Sequence, residues 1–516
     1  MRAKFWLVPA LLALALIGSS QVSANPDPGP PPAAAAAKPN IVFIHTDDLS
    51  SNLATHMSEV QAMKAAGTSF NHYSVVDSLC CPSRAAMLTG RFPHNTGVRT
   101  NQNGAIGGHE AFVANGNPQR TYAVALDDAG YRTGLYGKYM NGYDIRANNV
   151  PPGWDEWHVG GDGAYANIAG AYEITQVLSK GATKNISRPD VYLTDLLGDR
   201  AKNFIDRAHT ANQPFFLQMS TFAPHAGVGG PAGEPLFPPA PRDRPGHEFP
   251  GGDCGVINGN RTECGSLSVP RGTGFDEATY QELDTDLRNR VRMVQSVNDQ
   301  IRELRNHLSS IGQLSNTYFV FSTDNGFHLG DHGLLRGKGS AYDHDAEVPL
   351  IVKGPGVVAG ANRGQVVQSI DLYATFQRMA GLTPLPSNGH GLNALLEGDT
   401  SGDWRDVAYY EHHKQDTTAS LFEDPDLADG DMAAAAAGFN PGVHTWSAIR
   451  TADWLYVRYF DVTRHELYDL NADPKQNTNV YSSHESLVNN TLGPKLVELR
   501  NCGPTATPCW QAGQMP

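Results

Sequence analysis

Residues 40–48 read NIVFIHTDD, a β-branched apolar run that ends abruptly in Asp47 and Asp48. A run of this length and composition predicts a strand buried on both faces. Residues 317–326, TYFVFSTDNG, repeat the pattern and end in Asp324 and Asn325. In open α/β sheets, ligands bind just beyond the carboxyl ends of the strands. The two segments are far apart along the chain, and together they predict one composite site built from oxygen ligands.

Helix and strand patterns alternate between these two segments. Helices are predicted over residues 53–66 and 121–129, strands over 131–136 and 213–219, and a long amphipathic helix over 280–311. Such alternation is typical of a mainly parallel sheet with helices on both faces.

The last part of the chain has a different pattern. Three short aromatic segments, VAYYEHH, TWSAIRT and WLYVRYF, suit a small antiparallel sheet, and a helix is predicted over 485–500. A polar, Gly-containing cluster at 395–402 marks the boundary. The predicted fold is therefore α/β, with a large mixed, mainly parallel sheet flanked by helices and a smaller C-terminal α+β subdomain on an antiparallel sheet. The predicted domains are residues 39–398 and 399–516.

Composition excludes several classes of protein. The chain has 516 residues, of which 40% are hydrophobic, 9% aromatic and 18% charged. These fractions indicate an ordinary globular protein rather than a disordered chain, a coiled coil or a collagen-like repeat. A formal net charge of −14 argues against a nucleic-acid partner, because nucleic-acid binders present basic surfaces.

The first residues predict export. Arg2 and Lys4 precede an apolar run over 5–17 and a small-residue Val-Ser-Ala ending at 22–24, which is the layout of a secretory signal over residues 1–24. No later segment reaches the ~18 apolar residues of a membrane span, so no stable membrane anchor is expected. Residues 25–38 form a Pro/Ala-rich linker. The predicted location is secreted or extracellular, or periplasmic or lysosomal, depending on the source.

The cysteines fit an oxidising compartment. Of six cysteines, four form two local couples and the other two are adjacent. The simplest pairing joins Cys254 with Cys264 and Cys502 with Cys509. A bond between the neighbours Cys80 and Cys81 would be strained, so this pair needs another explanation.

That pair lies in residues 78–91, SLCCPSRAAMLTGR. Pro82 is well placed to open a helix, which puts Cys80 beside the positive N-terminal end and close to Arg84, one turn further on. The positive helix end and Arg84 can stabilise an anion at this position. The plainer interpretation is a free cysteine in a tight turn.

Together with the two carboxylate segments, the string CCPSRAAMLTGR resembles the sulfatase family of the alkaline-phosphatase superfamily, from Pro39 to about Val480. The resemblance implies an alkaline-phosphatase-like fold. It also implies that a formylglycine-generating enzyme oxidises Cys80 to formylglycine, the nucleophile. The family's calcium ligands match five residues of this chain. They are Asp47, Asp48, Cys80, Asp324 and Asn325.

The same resemblance implies roles for four basic side chains. Arg84 would brace the formylglycine. Lys138, in GYRTGLYGKY, and Lys338, in HGLLRGKGSAYDHDAEVPL, match the lysines that bind the sulfate. His225, in STFAPH, matches the histidine that binds the substrate and protonates the leaving oxygen. The segment ELYDLNADPKQNTNV is similar to the family's C-terminal signature.

One position departs from the family pattern. Many members carry a histidine two residues after the lysine matched by Lys138, where this chain has Met140. The GKY-x-N pattern with CCPSR resembles the branch of glucosamine-6-sulfatases and extracellular heparan endosulfatases. His94, His328 and His332 are candidates to replace the missing histidine.

The expected activity is hydrolysis of a sulfate ester to an alcohol and sulfate, through a formylglycine gem-diol and one Ca²⁺. The expected substrate is a sulfated small molecule or glycan, with 6-O-sulfated glucosamine-type sugars and aryl sulfates as candidates. Net charge −14 and the lack of a long Lys/Arg tract favour a small or exo-type substrate. The alternatives are a phosphonate or phosphodiester hydrolase of the same superfamily and a non-catalytic glycan-binding relative.

Overall fold

The structure is a computed structural model. It describes residues 38–144, 150–160, 173–177, 183–187, 191–227, 235–244, 256–257, 260–261, 268–269, 274–414, 439–503 and 509–515. The predicted signal segment, nearly all of the linker and the Cys254–Cys264 pair lie outside these residues. Within them, no helix is both long enough and apolar enough to cross a membrane.

The described residues form eighteen strands, numbered in chain order. They are β1 (Asn40–Thr46), β2 (Thr68–Ser74), β3 (Arg132–Gly137), β4 (Glu156–Gly160), β5 (Glu173–Val177), β6 (Thr183–Ser187), β7 (Phe215–Ser220), β8 (Val256–Ile257), β9 (Asn260–Arg261), β10 (Thr317–Thr323), β11 (His328–Leu329), β12 (Arg336–Gly337), β13 (Ile351–Lys353), β14 (Ala361–Gln368), β15 (Ala408–His412), β16 (Trp446–Arg450), β17 (Trp454–Tyr459) and β18 (His465–Asp469).

The same part of the chain forms fourteen α-helical segments. They are α1 (Ser51–Ala54), α2 (Ser58–Ala65), α3 (Cys80–Thr89), α4 (Pro93–Thr96), α5 (Gly108–Ala114), α6 (Tyr122–Asp128), α7 (Leu193–Thr210), α8 (Glu277–Ser310), α9 (Asp343–Ala346), α10 (Asp371–Met379), α11 (Asn393–Glu397), α12 (Glu485–Leu487), α13 (Gly493–Arg500) and α14 (Cys509–Ala512).

Ten strands form the main sheet, in the order β14-β2-β13-β10-β1-β7-β3-β4-β5-β6. Strand β1 lies between β10 and β7 and is parallel to both. Only β13 and β5 run against the other eight strands of this sheet. The sheet is therefore mixed and mainly parallel, as the sequence predicts.

Helices cover both faces of the sheet because both faces of its central strand are apolar. Val42 and Ile44 of β1 pack in a core with residues of α2, α7 and α8. The alternate residues Ile41 and Phe43 pack in a second core with residues of α3, α6 and α10. All four side chains are fully buried, which explains why the run in β1 is continuously apolar.

A separate antiparallel sheet has the order β15-β16-β17-β18. Ile449 and Leu467 on one face pack with Leu496 of α13, and Ala448 on the other face packs with Tyr342. This is the predicted C-terminal sheet. The disulfide between Cys502 and Cys509 is confirmed. The boundary between residues 398 and 399 stays a prediction, and it falls between α11 and β15.

Two predicted helices are interrupted. The helix over 53–66 is two helices, because α8 satisfies backbone groups at the break: Asn298 Oδ1 accepts from the Glu59 amide at 2.8 Å, and Gln295 donates to the His56 carbonyl at 3.1 Å.

The helix over 485–500 contains a π-helical turn, Val488–Leu492, just before Pro494. Proline has no amide hydrogen to donate, which favours a wider turn at this point.

Candidate active site

The four predicted oxygen ligands meet because β1 and β10 are parallel neighbours in register, with Thr46 opposite Thr323. The Asp48 amide donates to Asp324 Oδ1 at 3.2 Å, and Asn325 Nδ2 donates to Asp48 Oδ1 at 2.6 Å. All four side chains following the two strands are buried. The residues of the two segments therefore lie together at the carboxyl edge of the sheet, as expected for the composite site.

Cys80 begins α3 and faces this cluster. Its Sγ lies 3.6 Å from Asp47 Oδ1 and 3.0 Å from Lys338 Nζ. Burial raises the pKa of the Cys80 thiol well above its usual value, although Lys138 and Lys338 act in the opposite direction. Because the thiolate is the reactive form of cysteine, an unmodified Cys80 is a poor nucleophile at neutral pH.

Three basic side chains pair with the three carboxylates, and all six are buried. The pairs are Lys138 Nζ with Asp47 Oδ2 at 2.6 Å, Lys338 Nζ with Asp48 Oδ1 at 2.7 Å, and Arg84 Nε with Asp324 Oδ2 at 2.7 Å. Burial acts to raise the pKa of the Asp324 carboxyl, but Arg84 and Lys138 outweigh it and hold that pKa well below its usual range. Asp324 is therefore ionised under ordinary conditions.

His225 completes the cluster from the loop after β7. Its Nδ1 lies 2.8 Å from the Ala226 carbonyl, so Nδ1 carries a proton and donates it. Its Nε2 lies 3.5 Å from Asp48 Oδ2. This arrangement fixes the orientation of the ring and leaves Nε2 as the nitrogen that can exchange a proton at the site.

The donor set fits a hard divalent cation. One ligand atom each from Asp47, Asp48, Cys80 and His225 lies within 4.8 Å of the others. Asn325 Oδ1 is buried and has no hydrogen-bond partner. Carboxylate and amide oxygens are the ligands that Ca²⁺ prefers, and a buried acceptor without a donor is the group that a cation would satisfy.

The candidate replacements for the histidine absent at Met140 lie in two places. His94 uses both ring nitrogens elsewhere, with Nδ1 2.8 Å from Glu411 Oε1 and Nε2 3.0 Å from the Cys502 carbonyl. His328 and His332 lie in the segment that leads to Lys338. His328 Nδ1 is 3.0 Å from Asp345 Oδ2, and the His332 ring stacks on Tyr342.

Sequence reasoning missed Ser220, the last residue of β7. Its Oγ accepts a hydrogen bond from Arg84 Nη1 at 3.0 Å and lies 3.3 Å from His45 Nδ1. Burial, together with the charge of Arg84, lowers the pKa of His45 to about 3, so the ring is neutral. The signal that could have identified Ser220 is its position at the end of a predicted strand, because β7 is parallel to β1 and ends at the same edge of the sheet.

The C-terminal sheet also contacts the loops around the site. His412 Nδ1 lies 2.9 Å from Asp77 Oδ1 in the loop before Cys80, and Trp446 Nε1 donates to the Gly339 carbonyl beside Lys338 at 3.1 Å. The two loops are joined directly, because Ser78 Oγ donates to the Ser340 carbonyl at 2.6 Å.

Replacing Ser220 by alanine removes the hydroxyl that accepts from Arg84. We expect Ser220→Ala to fold but to hydrolyse sulfate esters, the reaction that the family resemblance implies, about 5- to 30-fold more slowly, equivalent to ~1–2 kcal/mol. Steady-state kinetics with an aryl sulfate would measure the loss. Ser296→Ala is the matched control, since Ser296 is equally buried and donates to the Met293 carbonyl within α8. Equal rates for the two variants would contradict a role for Ser220.

Comparison with known proteins finds a matching family model and related sequences. A family model described as Sulfatase matches residues 39–382. Human N-acetylglucosamine-6-sulfatase is 29% identical over 523 residues, covering 96% of this chain and 90% of that protein. A Caenorhabditis elegans protein named putative extracellular sulfatase Sulf-1 homolog is 34% identical over 364 residues, covering 69% of this chain and 48% of that protein.

Solved structures show the same fold. One, in complex with its substrate D-glucosamine-2-N,6-O-disulfate, has a TM-score of 0.64 at 23% identity and covers 90% of this chain and 97% of that chain. The phosphonate monoester hydrolase of Agrobacterium radiobacter has a TM-score of 0.59 at 20% identity and covers 87% of this chain and 93% of that chain. These likenesses confirm the predicted alkaline-phosphatase-like fold. Because the family model matches more than half of the chain, this protein belongs to the sulfatase family and is a sulfuric ester hydrolase.

Proposed function

We propose that this protein is a secreted, calcium-dependent sulfatase that uses formylglycine at position 80 to release sulfate from 6-O-sulfated glucosamine-type sugars. The observation that carries the proposal is the position of Cys80, which lies between Asp47 and Lys338 at the edge where the carboxylates meet. A buried nucleophile position thus contacts both a candidate metal ligand, Asp47, and a cation, Lys338.

Cys80 is fully buried, so its oxidation by a formylglycine-generating enzyme would have to precede folding. The thiol itself suits the reaction poorly, because burial keeps it protonated. A hydrated formylglycine would supply one hydroxyl to attack sulfur and a second whose deprotonation expels sulfate and restores the aldehyde.

Asp47, Asp48, Asp324 and Asn325 would hold Ca²⁺ through oxygen atoms, and the modified side chain at position 80 would be a further ligand. When bound, Ca²⁺ supplies positive charge that polarises a sulfate oxygen and favours the ionised nucleophile. Arg84 fixes one of these carboxylates through its 2.7 Å contact with Asp324 Oδ2.

The chain's own residues would bind the ester and move its proton. A sulfate monoester carries one negative charge spread over three oxygens, and Lys138 and Lys338 bring two ammonium groups to the site. His225 would donate the Nε2 proton to the alkoxide as the sulfur–oxygen bond breaks, since Nε2 is the ring nitrogen that faces the site, 3.5 Å from Asp48 Oδ2. The net reaction consumes water and yields an alcohol and sulfate.

The sugar class is proposed from relatives. The human protein with 29% identity is named N-acetylglucosamine-6-sulfatase, and the solved structure noted above contains D-glucosamine-2-N,6-O-disulfate. Residues 1–24 have the layout of a secretory signal, which supports export. We retain residues 39–398 as the proposed catalytic domain and 399–516 as the C-terminal subdomain.

The tryptic peptide 65–84 tests the nucleophile. In protein made in its natural host, we expect position 80 to be lighter by the mass difference between CH₂SH and CHO. Tandem mass spectrometry locates the change, and Cys81 in the same peptide is the internal control. Two intact thiols in protein that still hydrolyses sulfate esters would exclude formylglycine.

Substrate choice is tested with matched esters. We expect sulfate release from glucosamine 6-sulfate to exceed release from glucosamine 3-sulfate by at least about 100-fold in kcat/KM, because the site must place one sulfur beside residue 80. A phosphonate monoester is the third substrate. Faster turnover of the phosphonate than of either sulfate would favour the alternative hydrolase, and equal turnover of the two sulfates would contradict 6-O selectivity.

Asp324 tests the metal site. We expect Asp324→Asn to lower turnover by at least about 100-fold and to abolish the response to added calcium after chelation, because one ligand charge is lost. Turnover with and without EDTA, followed by calcium addition, measures both effects. Asp243→Asn is the control, since Asp243 is also buried but pairs with Arg242. A calcium response in Asp324→Asn equal to that of the parent would contradict the assignment.

A further inference from the structure

Arg290 of α8 is fully buried, and its guanidinium lies against two phenylalanine rings. The guanidinium carbon is 4.1 Å from the centroid of Phe327 and 5.3 Å from that of Phe237. Its Nη2 donates to the backbone carbonyl of Asp48. A charged side chain from a helix on one face of the sheet thus reaches the backbone of the candidate metal site.

The acceptor residue has an uncommon backbone conformation. Asp48 has φ 60°, in the left-handed region that non-glycine residues rarely adopt. Its amide donates to Asp324 Oδ1, and the next amide, that of Leu49, donates to Thr323 Oγ1. Arg290 provides the matching contact on the carbonyl side, so hydrogen bonds restrain the peptide groups on both sides of the Asp48 Cα.

The conformation of Asp48 decides where its carboxylate points. Oδ1 lies 2.7 Å from Lys338 Nζ and accepts from Asn325, and Oδ2 lies 3.5 Å from His225 Nε2. An ordinary right-handed or extended backbone at Asp48 would direct the side chain elsewhere, because φ rotates the Cβ position relative to the strand. The restraint on the backbone is therefore also a restraint on the side chain.

The same helix supports the lysine side of the site. Asp286, one turn before Arg290, lies 2.9 Å from Arg336 Nη2. Arg336 belongs to β12, which ends immediately before Lys338. One face of α8 therefore contacts both the Asp48 loop and the hairpin that leads to Lys338.

We propose that Arg290 is a positioning residue that holds the left-handed Asp48 backbone so that its carboxylate can bind the metal and contact Lys338 and His225. The part that concerns the metal rests on the proposed calcium site. The backbone restraint does not depend on it and can be tested in metal-free protein.

The test compares Arg290→Met, Arg290→Gln and Arg290→Lys in the full chain. Arg302→Met is the matched control, because Arg302 is exposed on the same helix and contacts Asp299. Ile301→Ala is the control for lost stability, because Ile301 is a buried core residue of α8. Hydrogen exchange of a peptide covering residues 44–50, in the presence of EDTA, reports the Asp48 loop. Calorimetric titration with CaCl₂ reports the metal site.

In Arg290→Met we expect the amides of Asp48 and Leu49 to exchange at least about 10-fold faster and calcium to bind at least about 10-fold more weakly. Arg290→Lys, which keeps a donor, should lie between the parent and Arg290→Met, whereas Arg302→Met should match the parent. Ile301→Ala should lower Tm without selective exchange at residues 47–50. If Arg290→Met does not fold, Arg290→Gln takes its place in the comparison.

Parent-like exchange at residues 47–50 in the Met or Gln variant would overturn the proposal. Faster exchange at the same residues in Ile301→Ala would also overturn it. If the parent itself binds no calcium, the calcium site of the proposed function is wrong, while the exchange result still decides the role of Arg290. Faster exchange with unchanged calcium affinity would overturn the metal part of the proposal.

Discussion

The parallel pairing of β1 with β10 is the constraint on which the rest of the site depends. Seven consecutive residue pairs, from Asn40 with Thr317 to Thr46 with Thr323, keep the two strands in register. Since both strands end at the same level, the acidic residues that follow them are forced together in a buried position. A shift by one residue would move these side chains to the other face of the sheet and separate the cluster.

Such a cluster needs compensation, because buried charges of one sign are costly unless they are paired. The protein supplies Arg84, Lys138 and Lys338, each within 2.7 Å of a different carboxylate. These cations stabilise the acidic cluster, and two of them, Lys138 and Lys338, are also the residues that the proposed function assigns to the sulfate ester. In the proposed function, structural and chemical requirements therefore coincide at these two lysines.

The surrounding fold holds this arrangement from several directions. The hydroxyl of Ser220 accepts from Arg84, and Arg290 donates to the backbone of Asp48. From the C-terminal sheet, His412 pairs with Asp77 and Trp446 donates to Gly339. The loop before Cys80 and the loop of Lys338 thus each contact a residue more than 50 positions away along the chain. The C-terminal sheet therefore contributes to the geometry of the site.

The sequence by itself determined the features that local pattern encodes. The apolar runs ending in Asp47-Asp48 and Asp324-Asn325 marked the central strands and the acidic edge. The CCPSR string marked a helix, which was predicted to open at Pro82 and begins two residues earlier, at Cys80. These signals are readable because burial on two faces and helix initiation are set by neighbouring residues. Tertiary structure alone decided the break between α1 and α2, the hydrogen bond between Ser220 and Arg84, and the hydrogen bond from Arg290 to the Asp48 carbonyl. Each of these depends on contacts with distant elements. No periodicity or spacing along the chain indicates which hydroxyl will accept from Arg84 or which guanidinium will donate to the backbone of Asp48.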